Sequence, residues 1–260
     1  MFYREVALAE ISHLVLSFWE FTGEGESCEP ISHEVFPDGC VSLFYYRNER
    51  VDVSRLFIKD LSLETLKTQI YAGDVYWGMR LAPSACAKIL RVNPSEIHSH
   101  PLDAANELTH LTAGLLEEFN YSRNFEEAVK FYEAKMKSLG LTAADTDQKV
   151  AEAVKFIEAN RGEVRISEIA AAVNLSVRQL ERRFRRSTGL SPKQYARARR
   201  IRATAINMLE ETEVNMASRA LEMGFTDQSH LTHEFSTLTG RSPNSFAKRV
   251  KRIEHGELVK

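Results

Sequence analysis

Cysteine is scarce in this chain, with only Cys28, Cys40 and Cys86 among 260 residues. Three unevenly spaced thiols cannot form a disulfide framework, and their scarcity fits a reducing compartment. No C-x-x-C pair occurs. Cys28, His33, Cys40, Cys86, His98 and His100 therefore lack the ligand spacing of a zinc site, and no metal is expected. Long apolar runs are missing too: none approaches the roughly 18 residues a membrane span needs. The N-terminus lacks the basic flank, apolar stretch and small-residue cleavage site of a leader. The expectation is a cytoplasmic protein with no membrane partner. A Gly-x-Ser-x-Gly elbow and a phosphate-cradling glycine loop are likewise absent, so the sequence offers no catalytic residue, no cofactor and no enzyme class.

The chain is 43% hydrophobic and long enough for two domains. Its net charge of −2 conceals a division. Residues 1–145 carry 13 Lys and Arg against 22 Asp and Glu, or −9; residues 146–260 carry 21 against 14, or +7. A basic half beside an acidic one points to a polyanionic partner for the former, because neutralised phosphates supply most nucleic-acid affinity. The Gly, Thr and Asp residues of 140–147 read as a helix stop followed by a new cap. The expected division is 1–140, a linker at 141–147, and 148–255. In the first part, Val41–Tyr46, Leu56–Leu61, Leu66–Tyr71 and Val75–Arg80 have strand composition between turn signals. Pro83 opens a short helical pattern to Leu90. Leu108, Leu111, Leu115 and Phe119, then Phe125, Ala128, Val129, Tyr132 and Met136, follow helical spacing. The fold class expected is α+β, with a helical pair at its end, followed by an all-α domain.

The second part contains a duplication. Leu180–Phe184, Thr188-Gly189-Leu190-Ser191-Pro192 and Tyr195 recur, 51 residues on, as Leu231–Phe235, Thr239-Gly240-Arg241-Ser242-Pro243 and Phe246. Upstream of the turns the offset is 50, pairing Ala170 with Ala220 and Leu175 with Phe225, so the second unit has one extra turn residue. Each copy has the pattern of a helix-turn-helix: small and apolar residues, a turn at Asn174-Leu175 or Gly224-Phe225, a cap from Ser176 or Asp227, and a second helix. Leu180 with Phe184, and Leu231 with Phe235, share that helix's buried face. The units span about 166–187 and 216–239, joined by a helix over about 192–209 with Pro192 at its first position.

These motifs, with Gly224-Phe225-Thr226-Asp227-Gln228-Ser229-His230-Leu231 and the Gly-x-Ser-Pro stops, resemble the DNA-binding domain of the AraC/XylS family over residues 148–252. His233 and Thr237 depart from it where many members are basic. The resemblance implies a transcription regulator, by family habit an activator acting on RNA polymerase. Geometry places Arg178, Glu181, Arg182 and Arg185 outward on the first unit's second helix, and the resemblance puts base contact at Arg178, Glu181 and Arg182. Gln228, Ser229 and His233 occupy the equivalent outward positions in the second unit. Ser176, Arg185, Arg186, Lys193, Gln194, Arg241, Ser242 and Asn244 are the candidate phosphate contacts. Arg183, Arg197, Arg199, Arg200, Arg202, Lys248, Arg249, Lys251 and Arg252 read as a mixture of phosphate contacts and solvated charge.

Pro37–Leu43 and Trp77–Pro83 are similar to a sensor-like, cupin-like domain often found ahead of such DNA-binding domains. That similarity implies a small-molecule effector. The aromatics Phe18, Trp19, Phe36, Tyr45, Tyr71, Tyr76 and Trp77 could line its pocket, with Trp77, Arg80, Tyr45 and Phe36 the foremost candidates; the alternatives are that the aromatics are core and that Arg80 pairs with Asp38. The helical pair over 108–136 could also hold a homodimer together. An AraC-type domain can instead be joined to a zinc-bound, methyl-accepting cysteine, but that centre needs four cysteines.

Overall fold

A computed structural model of the chain describes residues 2–25, 29–59, 61, 63–97, 102–104, 108–211 and 213–254. Cys28, His98 and His100 lie outside the described residues, as do the side chains of Arg249, Lys251 and Arg252.

The N-terminal part is built on strands β1 (Phe2–Val6), β2 (Val15–Thr22), β3 (Ile31–Val35), β4 (Ser42–Asn48), β5 (Val53–Lys59), β6 (Leu66–Ile70), β7 (Val75–Leu81) and β8 (Leu102–Asp103). Six form an antiparallel sheet in the order β1-β2-β7-β4-β5-β8, and β3 pairs with β6 separately. Four of these strands match the expected ones within a few residues. β1, β2, β3 and β8 fall outside the expected strands; in β2, apolar or aromatic residues on both faces leave no period-two signal.

Register sorts the side chains into two faces. Phe18, Met79, Leu43 and Ile58 lie in one row across four strands, with Trp77, Tyr45 and Leu56 in the next. This face is covered by α1 (Cys86–Leu90), α2 (Thr109–Thr112), α3 (Leu115–Tyr121) and α4 (Phe125–Ser138), which join it in one core. Phe119 meets Tyr45 and Tyr132 at 5.3 and 4.6 Å between ring centres, and the Tyr132 hydroxyl donates to the Trp77 carbonyl at 2.8 Å. The expected single helix through Leu108 and Phe119 is broken at Gly114, whose φ of +82° few other residues adopt. Its apolar residues are nonetheless buried, together with those of α4, against the chain's own sheet.

The second part is helical: α5 (Gln148–Ala159), α6 (Ile166–Ala172), α7 (Val177–Thr188), α8 (Pro192–Glu210), α9 (Met216–Glu222), α10 (Gln228–Thr239) and α11 (Pro243–Glu254). Two cores lie along it. One gathers Val150, Ile157, Ile169, Leu180, Phe184 and Tyr195; the other gathers Ile201, Met208, Met223, Leu231, Phe235 and Phe246. The long helix α8 contributes to both. No helix among the described residues is long and apolar enough to cross a membrane.

The two parts are packed together. Cys40 enters the first helical core and Phe36 packs on the second. Asp38 sits at the junction, with its carboxylate 2.6 Å from Arg80 Nε and 3.7 Å from Lys59 Nζ, while its carbonyl accepts from Arg199 at 3.3 Å. Burial alone would raise the Asp38 carboxyl pKa, but Lys59 and Arg80 outweigh it and hold the group well below the usual carboxylate range.

Candidate nucleic-acid interface

The two units repeat each other down to single hydrogen bonds. In the first, Asn174 takes φ +55° and Leu175 N–H donates to the Ala170 carbonyl at 2.9 Å; in the second, Gly224 takes φ +71° and Phe225 N–H donates to Ala220 at 2.8 Å. These bonds close the end of α6 and of α9 and turn the chain toward the next helix. Ser176 then accepts from Gln179 N–H at 3.3 Å and caps α7, while Asp227 accepts from His230 N–H at 2.8 Å and caps α10. Thr226 is the extra residue between turn and cap. At the far ends, Gly189 and Gly240 take φ of +81° and +69°. Thr188 and Thr239 each bridge the carbonyl four residues back and the backbone two residues on.

Leu180, Phe184, Leu231 and Phe235 are all 0% exposed. This fixes the orientation of α7 and α10, because positions three and four apart share a face and the opposite positions must then point out. Arg178, Glu181, Arg182, Arg185 and Arg186 are exposed on α7 and line one open cleft; Gln228, Ser229 and His233 are exposed on α10. Cations and amides on an exposed helical stripe can pair with guanine and adenine edges in a major groove. Of the remaining candidates, Ser176, Lys193 and Asn244 are exposed. The Gln194 carbonyl oxygen accepts from Ser191 N–H at 2.9 Å, so its amide NH2 points elsewhere. Ser242 caps α11 through Ser245 N–H at 3.3 Å. Arg241 is engaged by the Glu34 carboxylate from the N-terminal part.

The basic run through α8 is largely structural. Arg199 is buried and pairs with Glu158 at 2.6 Å. Arg197 pairs with Glu234 at 2.5 Å and Arg202 with Glu5 at 3.0 Å. Arg200 lies over the Phe225 ring, 4.6 Å from its centre, and donates to the Gly224 carbonyl at 3.2 Å. Arg183 pairs with Asp147 at 3.0 Å. Facing carboxylates and carbonyls thus engage these five, where the sequence suggested a mixture of phosphate contact and solvated charge. Arg219, buried against Asn207 and the Glu211 carbonyl, carried no signal in the sequence.

The candidate pocket residues do not converge on a pocket. Trp77 and Tyr45 are each 1% exposed, stacked at 5.6 Å on the core face, where the Trp77 indole donates to Glu20 at 2.9 Å. Phe36 packs on Phe246 at 5.4 Å, and Arg80 pairs with Asp38 and with Glu5 at 2.9 Å. The other face of the same strands carries its own aromatics, among them the candidates Trp19 and Tyr76, both partly open. Trp19, Phe44 and Phe57 form one row of the other sheet face, and Phe21, Tyr76 and Tyr46 the next. Gly78 lies between Trp19 and Phe44, and a Cβ there would fall 2.3 Å from the Trp19 ring. The buried Trp19 Nε1 has no hydrogen-bond partner among the described residues. Cys40 and Cys86 are buried thiols; burial pushes Cys40 up to about 12 and Cys86 higher still, which argues against a reactive cysteine at either place.

A helix-turn-helix domain model matches residues 169–249. The Msm operon regulatory protein of Streptococcus mutans is 30% identical over 158 residues, 58% of this chain and 51% of that protein. The HTH-type transcriptional regulator MtrA of Neisseria gonorrhoeae is 32% identical over 94 residues, 36% of this chain and 31% of that protein. The chain therefore spans about half the length of the first of these curated relatives and about a third of the second. An AraC-type transcriptional regulator structure from Chromobacterium violaceum covers 40% of this chain and 92% of its own, at 27% identity and a TM-score of 0.37. Ahead of that region, residues 7–103 match a model described as a domain of unknown function, DUF6597.

Proposed function

We propose that the chain is a sequence-specific regulator of transcription that places α7 and α10 in successive major grooves on one face of double-stranded DNA. The observation that carries this reading is the repeated head, whose apolar anchors are sealed while Arg178, Glu181 and Arg182 in one copy, and Gln228, Ser229 and His233 in the other, are presented to solvent. Ser176, Arg185, Arg186, Lys193, Gln194, Ser242 and Asn244 flank these stripes as phosphate contacts, with Arg241 available once Glu34 releases it. Selection from a random duplex library tests the reading. It should return a bipartite site with half-sites about one helical turn, 10 to 10.5 base pairs, apart. Recovery of no enriched sequence would refute it.

The finer roles follow the family habit: a cytoplasmic homodimer that recruits RNA polymerase, in response to a small-molecule effector. Residues 1–140 form the sensing and dimerisation part, 141–147 the linker and 148–255 the DNA-binding part. Support for an effector lies in the partly open aromatic face of the sheet and the orphaned Trp19 indole N–H, since buried donors without partners are rare. An effector there would shift the balance between two arrangements of the halves by its differential affinity for them.

A further inference from the structure

The first reading head is flanked by a piece of the N-terminal domain. After α1 the chain makes a short 3-10 turn at Pro94–Glu96, and this segment is seated against the C-terminal end of α7. Pro94 is buried, and a Cβ built on Gly189 would lie 2.9 Å from Ser95 N and 3.1 Å from Pro94 C, so the two backbones are in direct contact. Nearby, the Ser187 hydroxyl donates to the carbonyls of Pro83 and Ser84 at 3.2 and 3.0 Å. The Asn93 side chain accepts from Ser95 N–H and from its hydroxyl at 3.1 and 2.9 Å, which fixes the shape of the loop. Asn93 and Ser95 thereby complete the cleft along α7, where Arg178, Arg182, Arg185 and Arg186 face the single carboxylate of Glu181. Among the described residues none of these four guanidinium groups takes part in an ion pair.

We propose that the Asn93–Ser95 loop is a wall of the DNA interface, lying along the phosphate strand that borders the groove entered by α7. The proposal rests on the reading of α7 as a groove-inserting helix. A major groove about 12 Å wide barely admits a helix, so a helix inserted there has a phosphate strand along each flank. The flank that carries Asn93 and Ser95 offers the Asn93 amide NH2, turned outward because its oxygen is taken by Ser95, beside unpaired arginines, which is the chemistry that holds a phosphate in place without reading sequence. The base-reading stripe is open while the loop is docked, so no rearrangement is needed for this contact. The DNA surface is then composite, made by both domains.

Ser95→Lys in the full chain tests this, because the side chain is exposed and an added cation beside a phosphate leaves a thermodynamic mark. Binding to a random-sequence 30-base-pair duplex is measured by fluorescence anisotropy across a salt series. The expected result is a log–log salt slope steeper by about 0.9, so that the gain in affinity shrinks about threefold when salt rises fourfold. Tyr121→Lys, at a highly exposed position on the N-terminal domain, adds the same charge and is expected to keep the original slope. An unchanged slope for Ser95→Lys, weaker binding, or an equal change in both variants overturns the proposal. Arg178→Ala and Arg182→Ala are measured alongside on the selected duplex. If neither weakens binding, the reading of α7 itself fails; if both do while Ser95→Lys is silent, only the loop's role is lost.

Discussion

Arg182 and Arg199 both lie in the basic half, yet their surroundings assign them opposite work. Arg182 is exposed on α7 and takes part in no ion pair among the described residues, whereas Arg199 is buried between Glu158 and the Asp38 carbonyl. Truncating Arg182 to Ala is expected to cost about 1 to 3 kcal/mol at one operator position and to leave the melting temperature unchanged. Truncating Arg199 takes the cation from Glu158, which keeps the Tyr195 hydroxyl at 2.7 Å and is partly hydrated, so about 2 kcal/mol of folding stability is the expected loss, read by urea titration. A stable Arg199→Ala variant with reduced DNA affinity would reverse the assignment. Asp38 extends the same reasoning to pH. Its carboxyl titrates lower in the folded chain than in the unfolded one, where about 3.9 is usual. The stabilisation is therefore fully present above about pH 4 and is lost as acid approaches the depressed folded value. Asp38→Asn should flatten the fall in stability below about pH 4, and parallel falls in the two proteins would exclude the proposed linkage.

At the scale of elements, the joint between α5 and α8 depends on a residue with no side chain. Gly162 follows α5 at φ +80°, and a Cβ there would lie 2.3 Å from the Ala196 carbonyl oxygen and 2.6 Å from Arg200 N, both backbone atoms that cannot swing aside. Gly162→Ala combines overpacking with an unfavourable backbone conformation, so a loss of about 2 to 4 kcal/mol is expected in denaturant unfolding. A loss below about 0.5 kcal/mol would mean that the helices separate freely at this point. The helices themselves were legible because duplication supplies a second measurement: an anchor such as Leu180 is credible when Leu231 recurs at the same place, and Ser176 and Asp227 mark where each head begins. The sheet was less legible. β2 reads Val-Leu-Ser-Phe-Trp-Glu-Phe-Thr, and because Phe18 faces the helices while Trp19 faces the other way, no alternation survives. The same geometry parts the candidate aromatics, sending Tyr45 and Trp77 to the helix-covered face and Trp19 and Tyr76 to the other, since adjacent strand residues always lie on opposite faces. Asn93 and Ser95 could not have been read from local pattern, because their place beside α7 comes only from tertiary packing across more than eighty residues of chain.

For the molecule as a whole, the opposed charges of the halves serve two purposes that compete. Part of the excess of +7 in residues 146–260 is met by the acidic half: Glu5 takes Arg202 and Glu34 takes Arg241, while Asp38 sits beside Arg199. The N-terminal domain also touches both heads, through Ser187 in the first and through Phe246 and the Leu238 carbonyl in the second. It therefore constrains the spacing and direction of α7 and α10, which must match the pitch of DNA for both to bind. Glu34 is the carboxylate where the two purposes meet. Its side chain is only 8% exposed, and the guanidinium it holds, in the loop before α11, is one of the phosphate contacts proposed above. A carboxylate and a phosphate oxygen compete for the same guanidinium donors, so docking of the second head and its grip on DNA are set against each other. Glu34→Gln removes the charge but keeps the shape. Its expected effect is stronger protection of the second half-site in footprinting, together with faster hydrogen exchange in α11 as the domain contact loosens. Faster exchange without added protection would show that Arg241 braces the fold and never reaches the DNA.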